Sequence, residues 1–143
     1  MTYGPDDLPR VARALLARFG PARVYALVGQ LGAGKTTLVA ECCRQLGVSV
    51  PTSSPTFSLV NEYPTADGRT VYHLDCYRLN DLEEALSAGL EELFAEHEAA
   101  TFFVEWPAVI EPLLPEDTVV VRLAHTPDGS ARTLLTDPEI SLT

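Results

Sequence analysis

A short stretch, residues 29–37, combines glycines, a lysine and hydroxyl side chains at a spacing that suits phosphate binding. Gly29, Gly34, Lys35 and Thr36 follow the pattern G-x-x-x-x-G-K-[ST], and Lys35 is the only lysine of the chain. Glycines let successive backbone N–H groups point at a phosphate, a flexible lysine reaches the β- and γ-phosphates, and the hydroxyl ligates Mg²⁺. A β-rich apolar run precedes the stretch and a helical pattern follows it, so the sequence predicts a nucleotide-phosphate site. As the lysine of a surface loop, Lys35 is expected to contribute little to the core.

Two acidic residues could complete the metal side of such a site. Glu105 ends a wholly apolar run, as in a Walker B strand, although aspartate is more usual there. Asp75 ends a run that His73 interrupts. Nucleotide turnover needs a carboxylate beside the metal and a group that orients water. We predict that Glu105 joins Thr36 around Mg²⁺, directly or through water, and that Asp75 supports it from the same sheet edge. For each acid the alternative is a solvated carboxylate at a strand end.

A polar loop after the predicted phosphate-binding helix is a further candidate. Residues 48–56 hold prolines, serines and threonines in close succession, which argues against regular structure. Ser54 or Thr56, beside Pro55, could reach a γ-phosphate or its metal, as nucleotide-sensing switch loops do. An ordinary connection stiffened by proline is the alternative interpretation.

Helix and strand patterns alternate along the chain. Apolar residues at helical spacing predict a first helix from Leu8 to Phe19. Buried strands are predicted at 23–29 and 101–106, and hairpins at 57–75 and 118–136. Together these elements predict an α/β fold, a three-layer α/β/α P-loop NTPase arrangement with a mixed parallel and antiparallel sheet.

The mid-chain helix carries its own start and break signals. Asp81 and Glu84 form the pattern of a capping box, and Gly89 is expected to break or kink the helix. The residues expected along one apolar face are Leu82, Leu86, Leu90 and Leu93.

Composition limits the classes of function. The 143 residues are 46% hydrophobic and 21% charged, which is globular usage, and we predict one domain over residues 1–143. A formal net charge of −10 without a basic cluster disfavours extensive direct binding of nucleic acid. The N-terminus lacks a leader pattern, no apolar run is long enough for a membrane, and the three cysteines lack metal-ligand spacing. We therefore expect a cytoplasmic protein with free thiols and no membrane contact.

Five stretches, in this order, resemble one family. They are LVGQLGAGKTT, SPTFSLVNEY, YHLDCYRL, VEWP and LLPEDTVVVRL, and they are similar to the bacterial TsaE (YjeE) family. The resemblance covers about residues 8–136. The SPT, H-x-D-x-Y-R-L and EWP pieces are specific to this family among P-loop proteins. The resemblance implies a small ATPase of tRNA threonylcarbamoyladenosine biosynthesis that binds ATP and Mg²⁺ and hydrolyses ATP slowly.

The resemblance also implies protein partners. They are a threonylcarbamoyl transferase and its inactive paralogue, which modify the adenosine next to the anticodon in tRNAs reading codons that begin with A. The ATPase does not perform the transfer but assists it, so it meets tRNA only indirectly through that complex.

Roles for individual residues follow from the same resemblance. Thr36 and Glu105 would hold the metal, Arg132 would approach the nucleotide, and Trp106 would pack over the site. For the last two, a solvated arginine and a core tryptophan are the alternatives. The N-terminal stretch would line an adenine pocket, with contacts that the sequence does not assign. The implied nucleotide-binding residues of the loop are Gly29, Leu31, Gly32, Ala33, Gly34, Lys35, Thr36 and Thr37. The switch-like loop would consist of Ser54, Pro55 and Thr56. The second family signature would consist of His73, Asp75, Tyr77 and Arg78. The catalytic residues would be Lys35, Glu105 and Asp75.

Three other functions share part of these patterns. A GTPase would need an N-K-x-D motif, which cannot exist in a chain whose sole lysine is Lys35. A small P-loop kinase would need an acceptor pocket and usually a basic lid, for which the chain offers no paired arginines after the mid-chain helix. A nucleotide-dependent interaction switch without significant turnover shares every motif with the ATPase, so only kinetics separate these two.

Overall fold

A seven-stranded sheet and flanking helices make up the fold in the computed structural model, which describes residues 1–53, 55 and 59–138. The strands are β1 (Thr2–Tyr3), β2 (Val24–Val28), β3 (Val60–Pro64), β4 (Thr70–Asp75), β5 (Thr101–Glu105), β6 (Val119–His125) and β7 (Arg132–Asp137). The helices are α1 (Leu8–Phe19), α2 (Lys35–Gln45), α3 (Leu82–Ser87) and α4 (Leu90–Glu96), with 3₁₀ turns at Pro5–Asp7 and Pro107–Leu113. Within these described ranges no helix has the length and apolar character needed to cross a membrane.

The sheet is parallel at its centre and antiparallel at both edges. Its strand order is β1-β7-β6-β2-β5-β4-β3. The strands β6, β2, β5 and β4 pair in parallel, whereas β7 and β1 extend one edge and β3 the other in antiparallel pairing. The carboxyl ends of the parallel strands meet at one edge, where Asp75 lies beside Glu105 in the register. The mixed sheet predicted from the sequence is confirmed.

Helices cover both faces of this sheet. Successive strand residues point to opposite faces, so Phe103 of β5 packs in the cluster that contains α1 and α2. Its neighbours Phe102 and Val104 pack with α3, α4 and the second 3₁₀ turn. On the first face the rings of Tyr25 and Phe103 stack with their centroids 5.5 Å apart. The predicted three-layer α/β/α fold is therefore confirmed.

Gly89 divides the mid-chain helix into α3 and α4. Its φ of +81° lies in the left-handed region, which favours glycine. The break changes the direction in which the following residues point. Leu90 is buried while Leu86 is exposed. The expectation of one continuous leucine face is therefore wrong, and the expected break at Gly89 is confirmed.

Only one of the two hydrogen bonds of the predicted capping box forms at the start of α3. The carboxylate of Asp81 accepts a hydrogen bond from the backbone N–H of Glu84 at 2.9 Å, as predicted. The Glu84 carboxylate does not close the reciprocal half of the capping box, because it turns to the side-chain amide of Asn80, 2.8 Å away.

Two elements have no clear signal in the sequence. The strand β1 is too short to show alternation, yet Tyr3 is buried and pairs with Arg132 of β7. The 3₁₀ turn after β5 begins at Pro107 and contains Pro112 in its interior, where a proline is incompatible with a regular α-helix. Both elements lie beside the site described below.

All three cysteines are free and buried. Burial raises the pKa of the Cys43 thiol to about 12 and, together with the charge of Asp75, raises the pKa of Cys76 to about 12. Burial also raises the pKa of Cys42 far above its usual value. These thiols stay protonated at neutral pH and are poor nucleophiles. The prediction of free thiols is confirmed.

The substitution Leu15→Ala is expected to lower the free energy of unfolding by about 2–5 kcal/mol, because it leaves a cavity between α1 and the sheet. Leu15 is 1% exposed, whereas Leu135 in β7 is 62% exposed. Leu135→Ala is the matched control, with an expected change of about 0.5 kcal/mol or less. Urea denaturation followed by circular dichroism measures both, and equal losses would contradict the packing of α1 in the core.

Candidate functional site

The glycine-rich loop joins β2 to α2 at the edge where the parallel strands end. Gly32 and Gly34 have φ values of +80° and +100°, which favour glycine. Gly29 approaches β6 so closely that a Cβ there would lie 2.5 Å from the carbonyl oxygen of Leu123. Because α2 begins directly after the loop, at Lys35, the free N–H groups of its first turn and the positive end of its dipole lie at the loop.

The Lys35 side chain is buried, which corrects the expectation of a lysine on a surface loop. Lys35 is 5% exposed. Its Nζ donates a hydrogen bond to the carbonyl oxygen of Gly29 and lies 3.6 Å from the centre of the Trp106 ring. Burial lowers the pKa of Lys35 below its usual value, against the opposite effects of Glu105 and Asp75. A carbonyl dipole and an aromatic face thus stabilise the ammonium without neutralising its charge.

The carboxylate of Glu105 is buried at the end of β5, where two side chains reach it. The Thr36 hydroxyl, from α2, lies 3.4 Å from each of its oxygens. Nε2 of His73, from β4, lies 2.6 Å from Oε2. Buried carboxylates require such partners. Glu105 is therefore not a solvated carboxylate at a strand end.

A cavity of about 260 Å³ lies between the loop and the strand ends. The residues that line it come from the loop, α2, the ends of β4 and β5, and β7: Leu31, Gly32, Gly34, Lys35, Thr36, Thr37, Asp75, Glu105, Trp106 and Arg132. Most of the predicted site residues, which are far apart in the chain, are thus brought together around one space.

Arg132 packs directly on the glycine-rich loop. If Gly34 had a Cβ atom, that atom would lie 3.5 Å from Nε of Arg132. Arg132 itself is half-buried. Arg132 is therefore partly covered by the loop, and its approach to a nucleotide stays a prediction. Since Arg132 lies in β7, the antiparallel edge of the sheet contributes a cation to the cavity.

Trp106 turns the chain sharply after β5. Its φ of +55° makes it the one non-glycine residue with a positive φ in the described part of the chain. Such conformations are strained for a bulky side chain and cluster at functional sites. The indole lies over the Lys35 ammonium, with the Tyr77 ring 5.0 Å away. Trp106 is half-buried at the cavity and is not a residue of the main core.

The second signature is divided between three environments. His73 lies behind Glu105, on the same face of the sheet and away from the cavity lining. Asp75 lines the cavity and accepts a hydrogen bond from the backbone N–H of Tyr77 at 3.0 Å. Tyr77 and Arg78 are exposed. The sequence pattern gave no indication that His73 would contact Glu105.

The remaining predicted residues are not part of this cavity lining. Ala33 is buried in the core cluster on the α1–α2 face, and Gly29 contributes its carbonyl to Lys35. Pro55 is buried. Ser54 and Thr56 lie outside the described residues, so the switch-like loop stays a prediction.

A second cavity, of about 300 Å³, adjoins the first and shares Gly34, Thr37 and Arg132 with it. Its other walls are Tyr3, Gly4, Pro5, Leu8, Ser130 and Ala131. The pairing of β1 with β7 brings the N-terminal residues to the glycine-rich loop. Sequence reasoning could not find these contacts, because they depend on a two-residue strand that pairs with the other end of the chain.

Comparison with known proteins agrees with this architecture. The family described as "Threonylcarbamoyl adenosine biosynthesis protein TsaE" matches residues 3–134. The chain belongs to the TsaE family. The "tRNA threonylcarbamoyladenosine biosynthesis protein TsaE" of Bacillus subtilis is 36% identical to this TsaE-family chain over 128 residues, covering 89% of this chain and 77% of that protein. The protein of the same description from Nostoc is 40% identical over 116 residues, covering 79% and 69%.

A solved structure supports the same assignment. The crystal structure of YdiB from Bacillus subtilis is similar to this TsaE-family chain with a TM-score of 0.64 and 28% identity, covering 95% of this chain and 82% of that one. The resemblance stated from the sequence is confirmed at the level of both family and fold.

The substitution Gly29→Ala is expected to lower the free energy of unfolding by about 1–3 kcal/mol, because its Cβ would meet the backbone of β6. The contact at 2.5 Å is with a carbonyl oxygen, which cannot move without disturbing the sheet. Gly4→Ala is the control, since a Cβ there meets nothing within 4 Å, and its expected change is about 0.5 kcal/mol or less. Thermal or urea denaturation measures both variants; a neutral Gly29→Ala would argue against the close approach to β6.

Proposed function

We propose that this TsaE-family protein binds ATP with Mg²⁺, hydrolyses it slowly in the cytoplasm, and thereby assists the formation of threonylcarbamoyladenosine in tRNA. One observation carries the proposal: Thr36 of the glycine-rich loop and the buried Glu105 face each other at 3.4 Å. A hydroxyl and a carboxylate so placed are the two protein ligands by which P-loop proteins hold the metal of a nucleoside triphosphate.

The donor atoms fit Mg²⁺. Both are hard oxygens, and Mg²⁺ is usually bound by one or two such protein groups together with phosphate oxygens and water. No group of three or more histidine, cysteine, aspartate or glutamate residues suited to a metal is present in the described part of the chain. This sparse donor set suits a metal that arrives with its nucleotide. When bound, Mg²⁺ neutralises negative charge on the β- and γ-phosphate oxygens.

The phosphates would occupy the cavity beside Lys35. The backbone N–H groups of the loop and of the first turn of α2 supply hydrogen-bond donors, and Lys35 supplies a full positive charge. Burial disfavours the charged form of Lys35 and lowers its pKa, against the opposite effects of Glu105 and Asp75. The negative charge of a phosphate beside Lys35 would favour the charged form and so offset the cost of burying it.

The nucleoside would occupy the adjoining cavity. Its walls are mainly the apolar N-terminal segment and the β6–β7 turn, which suit an aromatic base. Arg132 borders both cavities and is therefore suited to the phosphates nearest the ribose. A ligand of this shape joins a flat apolar ring to a polyanion, which is the chemistry of ATP.

Turnover would rely on the two carboxylates at the strand ends. Glu105 faces Thr36 and is assigned to the metal. Asp75 lines the same cavity from the neighbouring strand, so it is assigned to orienting the attacking water. The Asp75 carboxylate accepts a hydrogen bond from the backbone N–H of Tyr77, which holds it at the edge where the parallel strands end.

The larger role rests on the relatives and on charge. The relatives are named for tRNA threonylcarbamoyladenosine biosynthesis. We assign the present chain, as a single domain over residues 1–143, to assisting a threonylcarbamoyl transferase and its inactive paralogue. A net charge of −10 repels a polyanion, so contact with tRNA would pass through those partners.

The substitution Lys35→Met is expected to weaken ATP binding by about 10- to 100-fold, because a charge-assisted hydrogen bond contributes about 1.5–3 kcal/mol. Methionine keeps an unbranched apolar stem against Trp106, so the fold should be retained or gain slightly in stability. Arg44→Met, an exposed change on the same helix, is the control and should leave affinity unchanged. Isothermal titration with Mg·ATP measures both, and unchanged affinity in Lys35→Met would overturn the phosphate site.

The function itself is tested by phosphate release from Mg·ATP. We expect slow release by the protein alone, marked stimulation by the transferase and its paralogue, and a rate at least about tenfold lower in Glu105→Gln. Salt-sensitive binding of tRNA by the isolated protein should be absent. Binding of ATP without turnover, even with both partners present, would instead favour an interaction switch.

A further inference from the structure

The contact between His73 and Glu105 has no role in the proposal above. The two residues lie on adjacent parallel strands, β4 and β5, and point to the same face of the sheet because His73 is two residues before Asp75, the register partner of Glu105. Their side chains are 1% and 5% exposed. Water therefore does not compete for the 2.6 Å contact between Nε2 and Oε2.

The direction of this hydrogen bond follows from the chemistry of Glu105. An ionised carboxylate, the form that binds a metal, can only accept hydrogen bonds. Nε2 of His73 must then carry its ring proton, and its N–H donates a hydrogen bond to Oε2. The other ring nitrogen, Nδ1, is buried and has no hydrogen-bond partner among the described residues. The imidazole is thus anchored in one direction only, towards Glu105.

This arrangement fixes an otherwise loose torsion. The terminal χ3 of glutamate is broad and roughly two-fold, so a carboxylate without partners rotates easily. His73 holds Oε2, and the plane of the carboxylate then presents both oxygens to the Thr36 hydroxyl at the same distance of 3.4 Å. Among the described residues, the hydrogen bond of this histidine goes to the acid at the site.

We propose that His73 is a positioning residue, whose Nε2–H holds Oε2 of Glu105 in the orientation that meets Thr36 and the Mg²⁺ of a bound nucleotide. The inference rests on the proposed function, since it concerns the metal side of that site. Outer groups that hold a metal-binding side chain typically change metal affinity or activity by about 10- to 100-fold when they are removed.

The test uses substitutions that differ in where they place a donor. In His73→Gln the amide nitrogen is as many bonds from Cα as Nε2 is, so it can still reach Oε2. In His73→Asn the amide stands near the position of Nδ1 and is too short, and His73→Leu has no donor. His97→Gln is the matched control, because His97 contacts the carbonyl of Leu93 and the ring of Tyr72, away from the cavity.

The readouts separate positioning from simple stability. ATP affinity in EDTA should stay near the wild-type value in all folded variants, because the loop and Lys35 are unchanged. The Mg²⁺ affinity of the ATP complex should fall by about 10- to 100-fold in His73→Asn and His73→Leu, and much less in His73→Gln and His97→Gln. In turnover assays kcat should fall, and the KM for Mg·ATP should rise in the variants that lose Mg²⁺ affinity, because weaker Mg²⁺ binding at unchanged affinity for metal-free ATP means weaker binding of Mg·ATP.

Several outcomes would overturn the inference. These are wild-type Mg²⁺ affinity in folded His73→Leu, equal losses in the glutamine and asparagine variants, or equal losses of ATP affinity with and without Mg²⁺. Should the asparagine and leucine variants fail to fold, ¹⁵N NMR of the wild-type protein decides the matter: a proton on Nε2 of His73 supports the inference, and its absence overturns it.

The same measurements distinguish this inference from the proposed function. If wild-type protein binds no ATP in either condition, the proposed function fails. If wild-type protein binds Mg·ATP as expected and the His73 variants behave like it, only the positioning role fails.

Discussion

A carboxylate buried at the end of a central strand constrains the structure around it. All residues of β5 are buried, so the strand brings Glu105 out of water together with its apolar neighbours. Removing a carboxylate from water costs several kcal/mol unless hydrogen bonds replace the lost solvent. The replacements come from Thr36 at the start of α2 and from His73 on β4. The position of the glycine-rich loop and the register of β4 against β5 are both tied to this one acid.

The same site also buries a positive charge. Lys35 interacts with the Gly29 carbonyl and the Trp106 ring, and burial lowers the pKa of its ammonium below the usual value. The left-handed turn at Trp106 is what places the indole there. Such backbone strain is retained where surrounding structure enforces it. A buried ammonium beside a buried carboxylate with two hydrogen-bonding partners is a polar arrangement suited to an anion that carries a metal, and this supports the proposed ATP site.

Local sequence patterns predicted much of this arrangement. They could not predict the contacts between residues that are far apart in the chain. The glycine spacing, the apolar run before Glu105 and the break at Gly89 each depend on neighbours within a few residues, so the sequence contains them. The burial of Lys35 could not be predicted in this way, because it depends on Trp106, which is far away in the chain. The contact of His73 with Glu105 depends on strand order and register, which no local pattern specifies.

The antiparallel strands at one edge of the sheet add residues to the site that the parallel strands form at its centre. The strands β2, β4 and β5 and the start of α2 supply the glycine-rich loop and both acids. The second cavity beside that loop forms because β7 pairs with β6 on one side and with the short β1 on the other, which brings Tyr3 beside Arg132. Arg132 then borders both cavities. A two-residue strand therefore has a consequence beyond stability: without its pairing to β7, the cavity beside the glycine-rich loop would be open to solvent on its N-terminal side.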